Sequence, residues 1–458
     1  MRRDRAGRAP GGALGPSYRK LFVATAITNL GDGMGTVAYP WLASAVTRNP
    51  LLITLVGVAQ RLPWLVFTLP AGVITDRIDR RRAMVLMDTL RGVITAVLAV
   101  AVAVRSHALP APDAVEHLVH TDLTLYGVVV ISTLLLGMAE VLRDNSAQTL
   151  MPSIVRTDQL EHANGRLWSV ESIANTFVGP PLGSLLIGVA FALPIVVDAG
   201  SFLGAAALVF LIPGTFRAAR ATDADGVEVP PGHWRAELKE GFAWLWAHPL
   251  LRPMAIILGT MNMASMLSGS LLVLYVQEVL RQGPTVFSVI GMGGAIGAVV
   301  AGAFASYLSR RLGSGTCLAI TLGSTVVVTT VIGLATWWPL VFVMFAVESL
   351  LGTLWNVITV SLRQSIIPGH LLGRVNSVYR FFAWGMMPIG AFLGGVVVTV
   401  VDTFSTREVA LRSVWFVSGA IHVVLFVVGR RLLTTERIDA ARAAGAATDA
   451  APAPGAAS

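Results

Sequence analysis

Apolar runs of twenty or more residues, separated by short charged or Gly/Pro-bearing segments, fill almost the whole chain. About 20 such residues cross a bilayer as a helix. The runs are too long and too uniformly apolar for half-buried strands. Twelve are readable: 20–46, 51–75, 83–105, 123–149, 160–190, 193–213, 251–280, 284–309, 315–336, 338–365, 375–400 and 411–430. Only Ala192-Leu193-Pro194 separates the fifth from the sixth. The pattern predicts an all-α membrane protein with twelve transmembrane helices in two six-helix bundles. The expected organisation is a basic tail at 1–19, an N-terminal bundle at 20–213, a central cytoplasmic loop at 214–250, a C-terminal bundle at 251–432 and a disordered tail at 433–458. Within the central loop, Asp223, Asp225, Gly226, Pro230 and Pro231 predict an unstructured stretch. Trp234, Leu238, Phe242 and Leu245 then fall on one helical face, which predicts an amphipathic helix lying on the membrane surface.

Composition and charge narrow the class. Hydrophobic residues make up 54% of the chain and charged residues 13%, where a soluble domain carries about 25% charged residues. The net charge of +8 is almost all arginine, since Lys20 and Lys239 are the only lysines. The arginines cluster between apolar runs and not on one domain, which argues against nucleic-acid binding. Positive residues stay on the cytoplasmic side of membrane spans. The predicted outer loops hold only Arg48, Arg105, Arg281, Arg407 and Arg412, so both termini are expected inside, in a multi-pass protein of the bacterial inner membrane. The first apolar run is too long for a signal-peptide core and no small-residue cleavage site ends it. The single Cys317 excludes an intramolecular disulfide. No GxxxxGK[ST] loop and no catalytic constellation is present, so neither direct ATP coupling, nor a cofactor, nor an enzyme is expected. His107, His117 and His120 share a polar loop with Asp113, Glu116 and Asp122. They read as solvated, with no metal site.

The two halves repeat. Gln148-Thr-Leu-Met-Pro152 near the end of the fourth run matches Gln364-Ser-Ile-Ile-Pro368 near the end of the tenth. Ala163-Asn164-Gly165 matches Val375-Asn376-Ser377, and Pro181-Leu-Gly183 matches Pro388-Ile-Gly390. Gly72-Val-Ile-Thr-Asp76-Arg77-Ile-Asp79-Arg80-Arg81 matches the degenerate Gly302-Ala-Phe-Ala-Ser306-Tyr-Leu-Ser309-Arg310-Arg311. Four ordered matches in register predict a duplicated bundle, an architecture of secondary transporters.

The stretch GVITDRIDRRRAM resembles the loop signature between helices two and three of the major facilitator superfamily, and NTFVGPPLGSLL resembles the helix-five signature of its proton-coupled exporters. LGDGMG, AQTLMPSIV and LLGRVNSVYR are most similar to its enterobactin-exporter and macrolide-efflux branch. The likeness covers essentially the whole chain. It implies that Gly72, Asp76, Arg77 and Arg80 form a latch holding one access state, and that Gly179, Pro180 and Gly183 form a bend that limits leak. Asp79 stands where the family usually has Gly. Asp tolerates a left-handed backbone better than most residues, so the turn is expected to survive.

Charges inside spans cost about 2.5–3.5 kcal/mol each at the bilayer centre on insertion scales. Asp32, Arg61, Glu171 and Glu348 fall near the middle of their runs. Asp88, Arg91, Glu140, Arg143, Asp144 and Arg363 fall in the inner parts of theirs. Glu140, Arg143 and Asp144 share one helical face. Asp32, flanked by Gly31, Gly33 and Gly35, is expected to pair with Arg61, while Asp88 and Arg91 read as structural. Asp32, Arg61, Glu140, Glu171 and Glu348 are the candidate coupling residues. The expected activity is proton-coupled efflux of a small, largely apolar molecule by a monomer in the bilayer. An importer or lysolipid flippase of the same fold, and a scaffold or receptor that does not transport, are the alternatives. Trp41, Trp64, Trp355, Trp384, Phe381 and Phe382 are candidate substrate contacts.

Overall fold

The computed structural model describes residues 14–112, 114–115, 118, 120–217, 234–368 and 371–450. The side chains of 68–69, 72–73, 76, 234–237 and 445–450 lie outside the description. Every regular element among the described residues is helical: α1 (Pro16–Val46), α2 (Pro50–Val66), α3 (Thr68–Arg77), α4 (Arg80–Val104), α5 (Leu123–Ile154), α6 (Leu160–Ser172), α7 (Gly179–Val189), α8 (Ala192–Phe210), α9 (Trp234–Ala247), α10 (Leu251–Gly269), α11 (Leu272–Leu274), α12 (Pro284–Leu312), α13 (Ser314–Leu334), α14 (Trp338–Ile366), α15 (Leu372–Val401), α16 (Arg407–Leu432) and α17 (Thr435–Ala450). Ten helical stretches among these are long and apolar enough to cross a membrane. The first two predicted runs are not among the ten. The first folds as the 31-residue α1, which carries Asn29, Asp32 and several glycines. The second is interrupted at Phe67 into α2 and α3.

Helix starts follow local chemistry. Asp122 caps α5, accepting from the N–H groups of Thr124 and Leu125 at 3.0 Å each, and Thr406 caps α16 through the N–H of Val409. Pro284 opens α12, where a missing N–H costs nothing. Gly313, at φ +82°, turns the chain from α12 into α13. The fifth and sixth runs part at Ala190–Phe191, between α7 and α8.

The chain divides into two compact units. One comprises Met1–Val46 and Val66–Ala221, the other Thr47–Leu65 and Thr222–Ser458. The segment carrying most of α2 therefore groups with the C-terminal unit, a departure from the boundary expected at residue 213. In the N-terminal unit α4 packs on α5 and α8, and α1 packs on α7 and α8. In the C-terminal unit the main pairings are α12 with α14, α10 with α15 and α13 with α16. Without a hydrophobic driving force between helices in lipid, close packing of small residues holds such pairs together. A Cβ on Gly183 would come within 2.7 Å of the Met34 carbonyl oxygen on α1, and one on Gly390 within 2.1 Å of the Met263 carbonyl oxygen on α10. The repeat thus places its matched glycines on the backbone of the first helix of each half.

The expected amphipathic helix forms as α9, and its inner face docks on α15. Leu245 is fully buried, Gly241 sits against the Arg374 backbone, and Phe242 stacks on Trp246 and Phe382. One expectation about the polar segments needs correction: the tail expected to be disordered from 433 is helical over Thr435–Ala450. Ile438 is buried, and Gly313 and Gly315 receive Thr435 in close contact. The high alanine content that suggested disorder is also the best helix-forming composition.

Candidate functional site

The charged side chains of the N-terminal unit converge. Arg91 on α4 donates from Nη2 to Asp32 Oδ1 on α1 at 2.6 Å. The arginine side chain is 4% exposed and the aspartate 28%. The Arg91 guanidinium also lies 3.9 Å from the centre of the Phe202 ring on α8, a stacked cation–π contact. One turn away on α4, Asp88 is fully buried 3.4 Å from Nε of Arg143 on α5. Arg143 also donates to Asp144 and to the Thr28 hydroxyl, at 3.3 Å each. Glu140 acts electrostatically on Arg91, and Glu171 feels Asp144 and Arg143. Alternating charges at i and i+3 on α4 and on α5 place both arginines on inward faces, where each meets a carboxylate of another helix.

The pairing of Asp32 with Arg61 is contradicted. Arg61 is exposed on α2 and belongs to the other unit. Asp32 takes Arg91 instead, a residue read from the sequence as structural because it lies near the inner loop. Glu348 on α14 stands apart, accepting from the Ser265 hydroxyl at 3.3 Å.

At the loop signature, the side chains of Gly72 and Asp76 lie outside the described residues. Arg77 ends α3 and is exposed. Arg80 donates to the Thr149 carbonyl at 3.0 Å, and Arg81 to the Ile212 carbonyl at 2.6 Å. Asp79 does not adopt a left-handed backbone: at φ −70°, ψ 119° it is the N-cap of α4. Its carboxylate accepts from Arg82 N at 2.9 Å and Phe216 N at 2.6 Å. Burial works to raise its pKa, but these two N–H groups and the guanidiniums of Arg81 and Arg82 outweigh it and hold the carboxyl below its ordinary value.

The helix-five bend is built from three features. A π-helical turn spans Ile173–Val178, Pro180 and Pro181 follow it, and two glycines face α1. A Cβ on Gly179 would lie 2.6 Å from the Gly33 Cα, so this face admits only hydrogen. π-Turns recur at functional sites in membrane and soluble helices.

Some features carried no sequence signal. In the C-terminal unit, Glu278 bridges Arg48 and Arg407, and Arg407 also pairs with Asp402 at 3.0 Å. Arg48, Glu278 and the Asp402–Arg407 pair are far apart in sequence, and nothing in one dimension brings the three together. A cavity of about 760 Å³ is lined by Phe22 of α1 with Asp158, Glu161, His162, Arg166 and neighbouring residues of α6, and neither the Asp32–Arg91 nor the Asp88–Arg143 pair lines it. Of the candidate aromatic contacts, Trp41 and Trp355 are buried packing residues, whereas Trp64 and Trp384 lie 5.7 Å apart and Phe381 is exposed.

Comparison with known proteins accounts for the scaffold. The chain is 28% identical over 395 residues to the multidrug efflux pump Tap of Mycolicibacterium fortuitum, covering 83% of this chain and 88% of that protein. It is 26% identical over 392 residues to Tap of Mycobacterium bovis, covering 83% and 86%. Among solved structures it resembles a bacterial homologue of the iron transporter ferroportin in an inward-facing state, with a TM-score of 0.68 at 17% identity over 92% of this chain and all of that one. It also resembles the nucleoside transporter NupG, with a TM-score of 0.62 at 11% identity over 91% and 99% of the two chains. The model of the Major Facilitator Superfamily matches residues 21–383. The chain therefore belongs to the Major Facilitator Superfamily and is a multi-pass membrane transporter of small molecules, not an enzyme.

Proposed function

We propose that this transporter is a proton-coupled exporter of small, largely apolar molecules, working as a monomer by alternating access across the bacterial inner membrane, with twelve spans and both termini inside. Two relatives named as multidrug efflux pumps, matched over most of their length, support the direction and the substrate class. The observation that carries the coupling is the Asp32–Arg91 pair, a 2.6 Å ion pair in an apolar helical unit whose carboxylate keeps 28% exposure. A charge so placed is costly unless paired. A carboxylate that gains a proton on one side of the membrane releases the arginine, and one that loses it restores the pair. Each proton moved inward down a potential of 100 mV supplies about 2.3 kcal/mol. The loop signature with Arg77 and Arg80 acts as the latch on the access state, and the Gly179–Gly183 bend limits leak.

The test is accumulation of a dye or macrolide in cells lacking their other pumps. Expression should lower accumulation, and an uncoupler should restore it. Accumulation unchanged by expression, or raised by it, would point to an importer, a lipid flippase or a protein that does not transport. Orientation has its own check on a Cys317→Ser background. Cysteines placed at Ser106 and Thr403 should react with an impermeant maleimide in intact cells, and one at Ser314 should not.

A further inference from the structure

Asp198, on α8, lies in the same unit and was not among the candidates read from the sequence. Its side chain is 3% exposed. Asp32, Asp88 and Asp144 each have a guanidinium nitrogen within 3.4 Å. Among the described residues Asp198 makes no ion pair; its side-chain neighbours are hydroxyls. The Tyr39 hydroxyl on α1 donates to Oδ2 at 3.3 Å. Ser201 Oγ lies 3.4 Å from Oδ1, but it is also 2.7 Å from the main-chain oxygen of Asp198. A hydroxyl has one proton. Given to the nearer carbonyl, it leaves a lone pair of Ser201 facing Oδ1, an arrangement satisfied when Oδ1 itself carries hydrogen. The charges acting on Asp198 directly are Asp32 on α1 and Arg91 on α4; Asp88 on α4 and Glu140 on α5 reach it only through Arg91. Among the described residues, the cations in ion-pair contact with Asp32, Asp88 and Asp144 are Arg91 and Arg143, and both are engaged by those carboxylates. An ionised Asp198 would be a buried charge with two long hydrogen bonds, which is strongly disfavoured.

We propose that Asp198 is a second proton-holding site: a neutral carboxylic acid behind the Asp32–Arg91 pair, with Tyr39 and Ser201 as its hydrogen-bond partners. This rests on the coupling reading above and deepens it. The geometry also supplies an exchange. Arg91 already touches α8 through Phe202, four residues along from Asp198. When Arg91 leaves Asp32 for Asp198, one proton leaves the Asp198 carboxyl and one is taken up by the Asp32 carboxylate. The cluster's net charge is unchanged, and no buried ion is left alone. Gly31 brings α1 against this acid, since a Cβ there would lie 2.3 Å from Asp198 Oδ1.

The experiment is infrared difference spectroscopy of the purified full-length protein in lipid at neutral pH, which reports protonated carboxyls without any transport. The wild-type minus Asp198→Asn spectrum should contain the carbonyl band of a protonated acid, and the wild-type minus Asp144→Asn spectrum, at a partly exposed carboxylate that accepts from Arg143, should lack it. Tyr39→Phe, which removes the hydroxyl donating to Oδ2, should shift the same band and serves if Asp198→Asn does not fold. A wild-type minus Asp198→Asn spectrum without that band, or a Tyr39→Phe spectrum in which no protonated-acid band moves, would overturn the proposal. The band's presence in a protein whose export ignores the pH gradient would leave the site standing and remove the coupling reading instead.

Discussion

The two units share a helical plan and a glycine contact, yet they fill their interiors differently. In the N-terminal unit, Asp32, Asp88, Asp144 and Asp198 surround Arg91 and Arg143. The C-terminal unit closes on an apolar core that includes Met254, Met261, Leu354, Trp355 and Ile358. Its intramembrane charges are fewer and more scattered: Arg61 exposed on α2, Glu278 near the end of its span, Glu348 on a serine hydroxyl, and Arg363 stacked 3.8 Å from the Tyr379 ring centre and hydrogen-bonded to Asn376. The internal repeat makes the comparison residue by residue. Counting back from the matched Gln148 and Gln364, the positions of Glu140, Arg143 and Asp144 become Asn356, Thr359 and Val360. Counting from Met34 and Met263, the position of Asp32 becomes Met261, which is buried in the apolar core. The matched half builds the same helical plan with uncharged residues at these positions, and coupling, as proposed above, is a reason for bearing the cost of charge in the N-terminal unit.

Removing one member of the charged interior should have the largest effect. Arg91→Ala leaves Asp32 unpaired beside Asp198, and breaking a buried pair in this way costs about 3–5 kcal/mol. Its melting temperature in detergent should fall well below that of Arg363→Ala, which gives up a cation–π contact of about 2 kcal/mol and a hydrogen bond. Equal losses would erase the contrast between the units.

The glycine contacts should instead behave alike. Gly183→Val and Gly390→Val each force a side chain into a facing backbone carbonyl, and overpacking costs about 1–3 kcal/mol or more. Both variants should lose the monodisperse peak in size-exclusion chromatography. Tolerance at one site and not the other would mean that the matched positions are not equivalent.

A smaller effect belongs to the α3–α4 loop. Asp79→Ala removes an N-cap worth about 0.5–2 kcal/mol. Because the folded carboxyl titrates below its ordinary value, its contribution is complete above about pH 4, the unfolded value, and is lost as pH falls through the folded value. The melting difference between wild type and Asp79→Ala should therefore be full at pH 7 and shrink on acidification below pH 4. A difference that grows in that range would mean the cap does not act through its charge.

The helical class, the repeat and the family were legible because they depend on patterns spread over many residues. Pairings were not. Asp32 and Arg61 are adjacent in the run order, and nothing in one dimension shows that α2 groups with the other unit while α4 brings Arg91 inward. Asp198 lies in an apolar helix with no charged neighbour in sequence, so only its position against Gly31 and Tyr39 reveals it. Asp79 was readable as an N-cap, since Asp directly before a helix is the standard signal. The family's glycine drew attention to turn geometry instead.

The central claim is that gradient coupling resides in the charged N-terminal unit. It is tested most directly by substrate export against a concentration gradient in proteoliposomes with an imposed pH difference, comparing Asp32→Asn with Glu348→Gln. The account predicts that Asp32→Asn abolishes uphill export while downhill exchange remains measurable, and that Glu348→Gln still pumps uphill. Uphill pumping by Asp32→Asn at the parental rate, with its loss in Glu348→Gln, would contradict it.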